Sequence, residues 1–395
     1  TNLSPRAGLA WDVFGDGRTA LKAAVGRYTS TAGLTGVAGF NPAALTVTQG
    51  TRSWTDSNKD FVPQESELGP ISPANFGLTN SPTTRQSDNV IHGFNTDPYS
   101  WQGEVAFQQQ LLSGVAVNVG YFRTQFGNFT ATDNLNVEPS NYDFFCLNAP
   151  LDAALPGGGG QEICGIHDPK ATPAANNLVR RASELGNQSQ VYNGVDLTMN
   201  ARLAQLYLTG GVSIGRTITD NCEILAALPE NSVTPVNCHI EPPWSAGTDF
   251  KLSATYRTPL ALQVSLNYQN SPGIATTATW AAPNSLIAPA LGRNLAACRA
   301  GLSATQCTST LTIPIVKNNS LYREDRVNLL NVAVSRNFKL TRMTVRPRFE
   351  VGNLLNINTV TSVNTAFSTS GNNGWQQVRG VLTPRTAKLA LQMEF

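Results

Sequence analysis

The chain closes on Lys388-Leu389-Ala390-Leu391-Gln392-Met393-Glu394-Phe395. Leu389, Leu391, Met393 and Phe395 fall on one side of an alternation, and Lys388, Ala390, Gln392 and Glu394 on the other. Successive side chains of a strand point to opposite faces, so this pattern predicts a strand with one apolar and one polar face. The rhythm recurs upstream. Leu260, Leu262, Val264, Leu266 and Tyr268 oppose Ala261, Gln263, Ser265, Asn267 and Gln269. Val115, Val117, Val119 and Tyr121 oppose Ala116, Asn118 and Gly120. Val195, Leu197, Met199 and Leu203 oppose Asp196, Thr198, Asn200 and Arg202. These runs come in pairs joined by short turns. Residues 6–13 and 19–28 flank Gly15-Asp16-Gly17, and Asp-Gly between alternating runs is a hairpin signal because the turn needs positive φ. Pairs 101–111/115–121, 195–203/206–214, 250–256/260–268 and 330–340/343–351 follow, with Leu112-Ser113-Gly114, Ala204-Gln205, Thr258-Pro259 and Thr341-Arg342 as turns. With the terminal strand, the pattern predicts about eleven strands.

Between the pairs lie long segments, 30–99, 130–190, 220–243, 271–324 and 357–380. Loops of that length count against a compact soluble domain, whereas an outer-membrane barrel has short periplasmic turns and long extracellular loops. A soluble sandwich also alternates, but it would not place every long loop at one end, and its polar face would carry more charge. The expected fold is therefore all-β: an antiparallel transmembrane barrel portion with long extracellular loops, one domain over residues 1–395. Trp11, Tyr28, Trp101, Tyr121, Trp244, Tyr256 and Tyr268 sit near predicted strand ends, as interfacial girdles do. An eleven-strand count cannot close an even-stranded barrel, and eleven is half of the 22 strands of the large plugged transporters.

Composition sharpens the picture. Charged residues make up 14% of the chain, against roughly 25% in soluble domains. No run approaches the roughly 18 apolar residues of a membrane helix. The net charge of +2, without a basic stripe, gives no footprint for nucleic acid. The sequence opens on Thr1 inside a strand-like pattern, which suggests a piece of a longer precursor. Its six cysteines form three close pairs, Cys146 with Cys164, Cys222 with Cys238 and Cys298 with Cys307, all in long loops. That spacing predicts local disulfides in an oxidising exterior. A zinc site is the alternative, but no C-x-x-C occurs, and His167 and His239 supply one histidine per loop.

Particular stretches carry a family resemblance. SPRAGLAWDVFGDGRTALKAAVGRY (4–28), VAVNVGYFRTQFGNFTATDN (115–134), APLDAALPGGGG (149–160) and FEVGNLLN (349–356) resemble the barrel of TonB-dependent receptors, of the Oar-like kind carrying a carboxypeptidase-regulatory-like domain. The closing TPRTAKLALQMEF (383–395) is similar to the terminal strand read by the barrel assembly machinery, with Leu389, Leu391, Met393 and Phe395 as the signal. The resemblance implies a 22-stranded barrel in the outer membrane of a Gram-negative bacterium, facing lipid, around a plug. It also implies energised uptake of a solute through TonB. The plug, the TonB box and the earlier strands of such a receptor have no counterpart in these residues, and the solute is not legible.

Candidate chemistry is sparse. Asp56, Asn58 and Asp60 occupy positions 1, 3 and 5 of a calcium loop, Val62 offers a carbonyl at 7, and Glu67 falls at 12. Phe61 stands at position 6, where an EF-hand has glycine; a polar surface turn is the alternative. Gly211-Val212-Ser213-Ile214-Gly215 matches G-x-S-x-G, but Ser213 lies within an alternating strand, without the strand-to-helix turn of a hydrolase. Gly157 to Gly160 lack the following Lys-Ser/Thr of a phosphate loop and read as flexible loop. Arg6, Glu104, Asp196, Arg202, Lys251, Arg346, Arg348, Lys388 and Glu394 are assigned to the inner face, as lumen lining or as ordinary solvation. His92, His167 and His239 sit in loops without a catalytic partner. The expectation is a transporter and not an enzyme. The alternatives are a passive twelve-stranded porin, needing one more wall strand near residues 311–317, and a surface adhesin or structural barrel.

Overall fold

In the computed structural model, which describes residues 2–30, 41–369 and 374–395, the predicted strands form a single antiparallel meander. Residues 31–40 of the first long loop and 370–373 of the last lie outside the described residues. The main sheet has thirteen strands, two of which, His239–Ile240 and Phe338–Lys339, are two-residue extensions. The other eleven are β1 (Arg6–Asp12), β2 (Thr19–Thr29), β3 (Tyr99–Leu112), β4 (Val115–Gly127), β5 (Ser189–Arg202), β6 (Leu206–Asp220), β7 (Thr248–Arg257), β8 (Leu262–Ser271), β9 (Val327–Arg336), β10 (Thr344–Gly352) and β11 (Thr386–Glu394). Each pairs with the next in sequence. Among the described residues β1 pairs only with β2 and β11 only with β10, so the sheet is open, part of a barrel.

Local chemistry explains the turns. The Asp12 carboxylate accepts from the amides of Gly15 and Gly17, at 3.0 and 2.7 Å, and both glycines hold φ at +73°. A two-residue Ala204-Gln205 turn is closed by Leu203 and Leu206 exchanging backbone hydrogen bonds. The β7–β8 turn corrects the expectation of Thr258-Pro259 alone. It takes in Leu260 and Ala261, with Ala261 at φ +58° and Thr258 bonded to the Leu262 carbonyl, so Leu260 does not extend the strand.

The strands also run further upward than the alternation suggested. β4 continues to Gly127, β5 begins at Ser189 and β6 ends at Asp220. Fifteen residues in β6 at about 3.3 Å each make about 50 Å of strand, more than a tilted crossing of a roughly 25 Å apolar band needs. The surplus stands above the membrane, where apolar alternation is no longer demanded.

One face of the sheet decides between barrel and sandwich. Leu9, Trp11, Leu21, Val25, Trp101, Val105, Phe107, Val119, Tyr121, Val195, Leu197, Met199, Phe349, Leu389, Leu391 and Met393 share the outer face by register, and all are exposed. A sandwich would bury such a stripe under a second sheet. Here nothing covers it, as a lipid-facing belt requires. Trp11, Trp101, Tyr121, Tyr256 and Tyr268 join this face. Two of the expected girdle residues do not. Tyr28 lies on the inner face with Arg6 over its ring at 4.4 Å, and Trp244 sits in a 3-10 turn, stacked by Arg216 at 4.7 Å.

The packed core lies outside the wall. Ile166, Ile287 and Ile313 are fully buried, with Trp280, Phe145, Leu155, Ile315 and Phe367 around them. All come from the long segments, which fold into a cap. Ala275–Pro283 pairs with Thr310–Tyr322 and with Ala366–Phe367, and Tyr142–Asn148 pairs with Glu162–Pro169. An eight-residue helix, Asn284–Leu291, seats Ile287 in the core. The candidate twelfth wall strand near 311–317 is thus a cap strand, and no twelve-stranded closed barrel forms among the described residues. Gly157 to Gly160 also depart from the expected flexible loop. All four take positive φ, and Gly159 bridges back to Leu151 beside Leu155.

Inner-face glycines accommodate aromatic rings laid flat against the wall. The Tyr192 hydroxyl lies 2.2 and 2.3 Å from where a Cβ would stand on Gly194 and Gly215, which pair across β5 and β6. Gly215→Val is therefore expected to cost roughly 1–3 kcal/mol through overpacking. Urea unfolding in micelles should show that loss shrinking in a Tyr192→Ala background; an unchanged loss would remove the ring as its cause.

Candidate functional site: the inner wall and the extracellular cap

The register places Arg6, Glu104, Asp196, Arg202, Lys251, Arg346, Arg348, Lys388 and Glu394 on one face, opposite the apolar belt. Several of these charges are already engaged. Arg348 pairs with Glu350 at 2.5 Å, Arg346 donates to Asn337, and Arg202 stacks on Tyr207 at 5.4 Å. Between β5 and β9 the same face lines a cavity of about 720 Å³, bordered by Thr198, Thr209, Ser213, Lys251, Asn267 and Asn331. Ser213 stands mid-strand opposite Asp196 and Asp249, with β6 continuing to Asp220, so the G-x-S-x-G stretch builds no nucleophile turn.

The three cysteine pairs are bonded as expected, all in the cap. Cys146–Cys164 joins the two strands of the 142–169 hairpin. Cys222–Cys238 closes the segment above β6, and Cys298–Cys307 closes the segment after the helix. The histidines are separate: His92 pairs with Asp88, His239 with Asp220, and His167 is buried between the carbonyls of Gly165 and Pro229.

The sequence did not disclose the ion cluster that ties the cap together. Arg293 reaches Asp143 at 2.8 Å and Asp168 at 2.6 Å, and donates to the carbonyls of Asp168 and Pro169. Burial opposes the guanidinium charge, but the hydrogen bonds it donates to Asp168 and Asp143 outweigh that and raise the pKa. Asp168 accepts a further bond from the Ala296 amide. No local motif marks Arg293, because its partners lie 125 and 150 residues away.

The calcium-like stretch forms the apex of an extended arm. Bridges Thr46–Thr79, Thr51–Ser72 and Trp54–Leu68 hold its two sides together. Carboxylate oxygens of Asp56, Asp60 and Glu67 all lie within 4.8 Å of one another. Asp56 accepts from the amides of Lys59 and Phe61, and Phe61 takes the left-handed conformation (φ +59°) that calcium loops give to glycine. Asn58 turns its side-chain oxygen to the Asp60 amide and its nitrogen to the Asp60 carboxylate. The Ser57 amide and the Trp54 indole hold Glu67 below its ordinary value. Three carboxylates thus converge at the apex, hard oxygen donors of the type found in calcium loops.

A family profile described as an outer membrane beta barrel domain matches residues 1–215, more than half of the chain. The chain belongs to the outer membrane β-barrel domain family. Its fold is similar to that of the outer membrane transporter YddB from Escherichia coli, at a TM-score of 0.50 and 10% identity, covering 99% of this chain and 40% of that one. Other similar structures are the pyoverdine receptor FpvA from Pseudomonas aeruginosa (TM-score 0.43, 9% identity, 99% and 36% covered) and the siderophore receptor PiuA from Acinetobacter baumannii (0.43, 10%, 98% and 35%). No curated protein sequence matches. This outer membrane barrel thus spans about 40% of the length of the solved transporter YddB. The expected all-β barrel fold and its place in the outer membrane are borne out.

Two outcomes test the cap of this outer membrane barrel. Arg293→Met strands the Asp168 carboxylate, whose side chain is 7% exposed, and should cost roughly 3–5 kcal/mol of cap stability. Arg348→Met breaks a half-exposed pair and should cost under about 1 kcal/mol. Limited proteolysis of the two variants in urea separates them. The second outcome concerns acid. The Asn89 amide, then Arg180, holds Glu184 below the ordinary value of 4.5. A depressed folded value means that the contact contributes fully above about pH 4.5 and fades as pH falls through the folded value. Amide exchange over residues 87–98 should accelerate there in the native protein, but not in Glu184→Gln.

Proposed function

We propose that this chain is wall and cap of an energy-coupled outer-membrane transporter, as the TonB-dependent resemblance implies, and that it carries out no chemistry of its own. In the assembled protein a solute is caught at the cap and passes along the polar inner face when a plug, driven through TonB, yields. The carrying observation is the asymmetry of the sheet: an uncovered apolar belt outside, a hydrogen-bonding face inside, and a folded cap at one end only. A passive porin is disfavoured because the candidate twelfth strand is spent in the cap. An adhesin has no specific observation in its favour.

We propose further that Leu389, Leu391, Met393 and Phe395 present the assembly signal. Leu389, Leu391 and Met393 line the outer face of β11 and Phe395 directly follows it, with Leu389 and Phe395 82% and 95% exposed. For the arm apex we infer a weak Ca²⁺ site on Asp56, Asn58, Asp60 and Glu67, in the roughly 10⁻⁴–10⁻³ M range of extracellular modules.

Uptake of labelled solutes by cells producing the full-length protein should collapse on removing TonB or on dissipating the proton gradient. Uptake that survives both treatments means passive diffusion. Removing Phe395 should lower the folded fraction in the outer membrane severalfold without changing total synthesis. Trp54 offers a probe for the metal, since its indole donates to Glu67 at 3.2 Å. Millimolar Ca²⁺ should shift its emission in the native chain and leave it unmoved in Glu67→Gln.

A further inference from the structure

We propose that the inner wall across β5 to β9 is a binding track for a neutral oligosaccharide; this names a solute class for the transport reading above and rests on it. In the cavity of about 720 Å³ uncharged hydrogen-bonding side chains outnumber the two charged ones, and glycine and aliphatic residues supply the rest of the lining. Thr198, Ser213, Ser253 and Asn267 point into it, and none has a side-chain partner among the described residues. Each offers both a donor and an acceptor, as a sugar hydroxyl does. A sugar chain satisfies such a wall, its hydroxyls meeting these groups and its C–H faces the aliphatic lining, where an anion would meet as many acceptors as donors.

The charge at the cavity is balanced. Among the described residues Asp249 and Lys251 are its charged borders, two residues apart on the same face of β7. The Ser271 hydroxyl donates to the Asp249 carboxylate. One cation beside one anion gives no net field for a charged chelate or an acidic polymer.

An aromatic surface stands at the upper end. Tyr192 lies flat over the Gly194–Gly215 pair, one same-face step above Asp196 and Ser213. A flat ring with a polar edge, beside amides and hydroxyls, suits the apolar C–H face of a sugar. Along a strand, same-face groups repeat at about 6.6 Å, and neighbouring strands lie about 4.8 Å apart. The wall is thus a lattice able to hold successive units of a chain.

The test uses the full-length protein in detergent micelles. Its probes are an array of short neutral glucans, xylans and mannans, uronic-acid oligosaccharides, a ferric hydroxamate chelate and short neutral peptides. The expected result is binding of a neutral glycan, weakened at least tenfold by Asn267→Ala combined with Thr198→Val and weakened by Tyr192→Ala. Heat-modifiability on gels shows that each variant is folded. Binding of the chelate, the uronic acids or the peptides in place of neutral glycans overturns the proposal, as does glycan binding indifferent to the wall variants. Energised uptake of the chelate without glycan binding overturns the glycan track alone, and no energised uptake of any probe overturns the transport reading with it.

Discussion

Backbone satisfaction in lipid is the constraint on which this structure depends. An unpaired amide or carbonyl in hydrocarbon costs several kcal/mol, so a membrane-crossing strand must be bonded along both edges. Ten consecutive antiparallel pairings meet that demand for β2 to β10. The meander leaves no choice about side chains: once register is fixed, odd and even positions alternate between lipid and lumen, and a slip of one residue would invert both faces. Hence Leu197 faces lipid while Thr198 lines the cavity, although they are neighbours in sequence.

Above the membrane the same chain follows a different rule. Water satisfies loose backbone there, and the apolar residues are free to seek one another. The cap collects them around Ile166, Ile287 and Ile313, three disulfides fix its segments, and Arg293 joins the 142–169 hairpin to the segment after the helix. The chain therefore carries two stabilising schemes, hydrogen-bonded pairing in the wall and hydrophobic packing in the cap. A single measured unfolding transition would merge them, whereas Arg293→Met and Gly215→Val act on one each.

What was legible in the sequence follows this division. The wall was readable because lipid enforces strict alternation: the eleven strands and the nine inward charges stand where the pattern put them, and the departures, Leu260 and the upper ends of the strands, fall at turns and above the membrane. The disulfides were readable because each pair is local. The cap was not, because its contacts are distant and its alternation has no fixed polarity. Residues 311–317 alternate like a wall strand yet pair with Ala275–Pro283, and nothing local separates the two outcomes. The helix Asn284–Leu291 contains Pro289 and spans only two turns, too short for a clear period. At the arm apex the spacing identified Asp56, Asp60 and Glu67 correctly as neighbours, but not that Phe61 would take the glycine conformation.

The two outer edges carry the remaining consequence. β1 and β11 each leave one side of their backbone unpaired among the described residues, seven and nine residues long. In the membrane those groups need partners. With an odd number of antiparallel strands, β1 and β11 run in the same direction, so joining them directly would put a parallel pair into an otherwise antiparallel wall. Antiparallel closure requires an odd number of further strands between them. Tyr192, on β5, lies over β5 and β6 near the middle of the present wall, where every strand is bonded along both edges, so the unmet demand is confined to the two outermost strands.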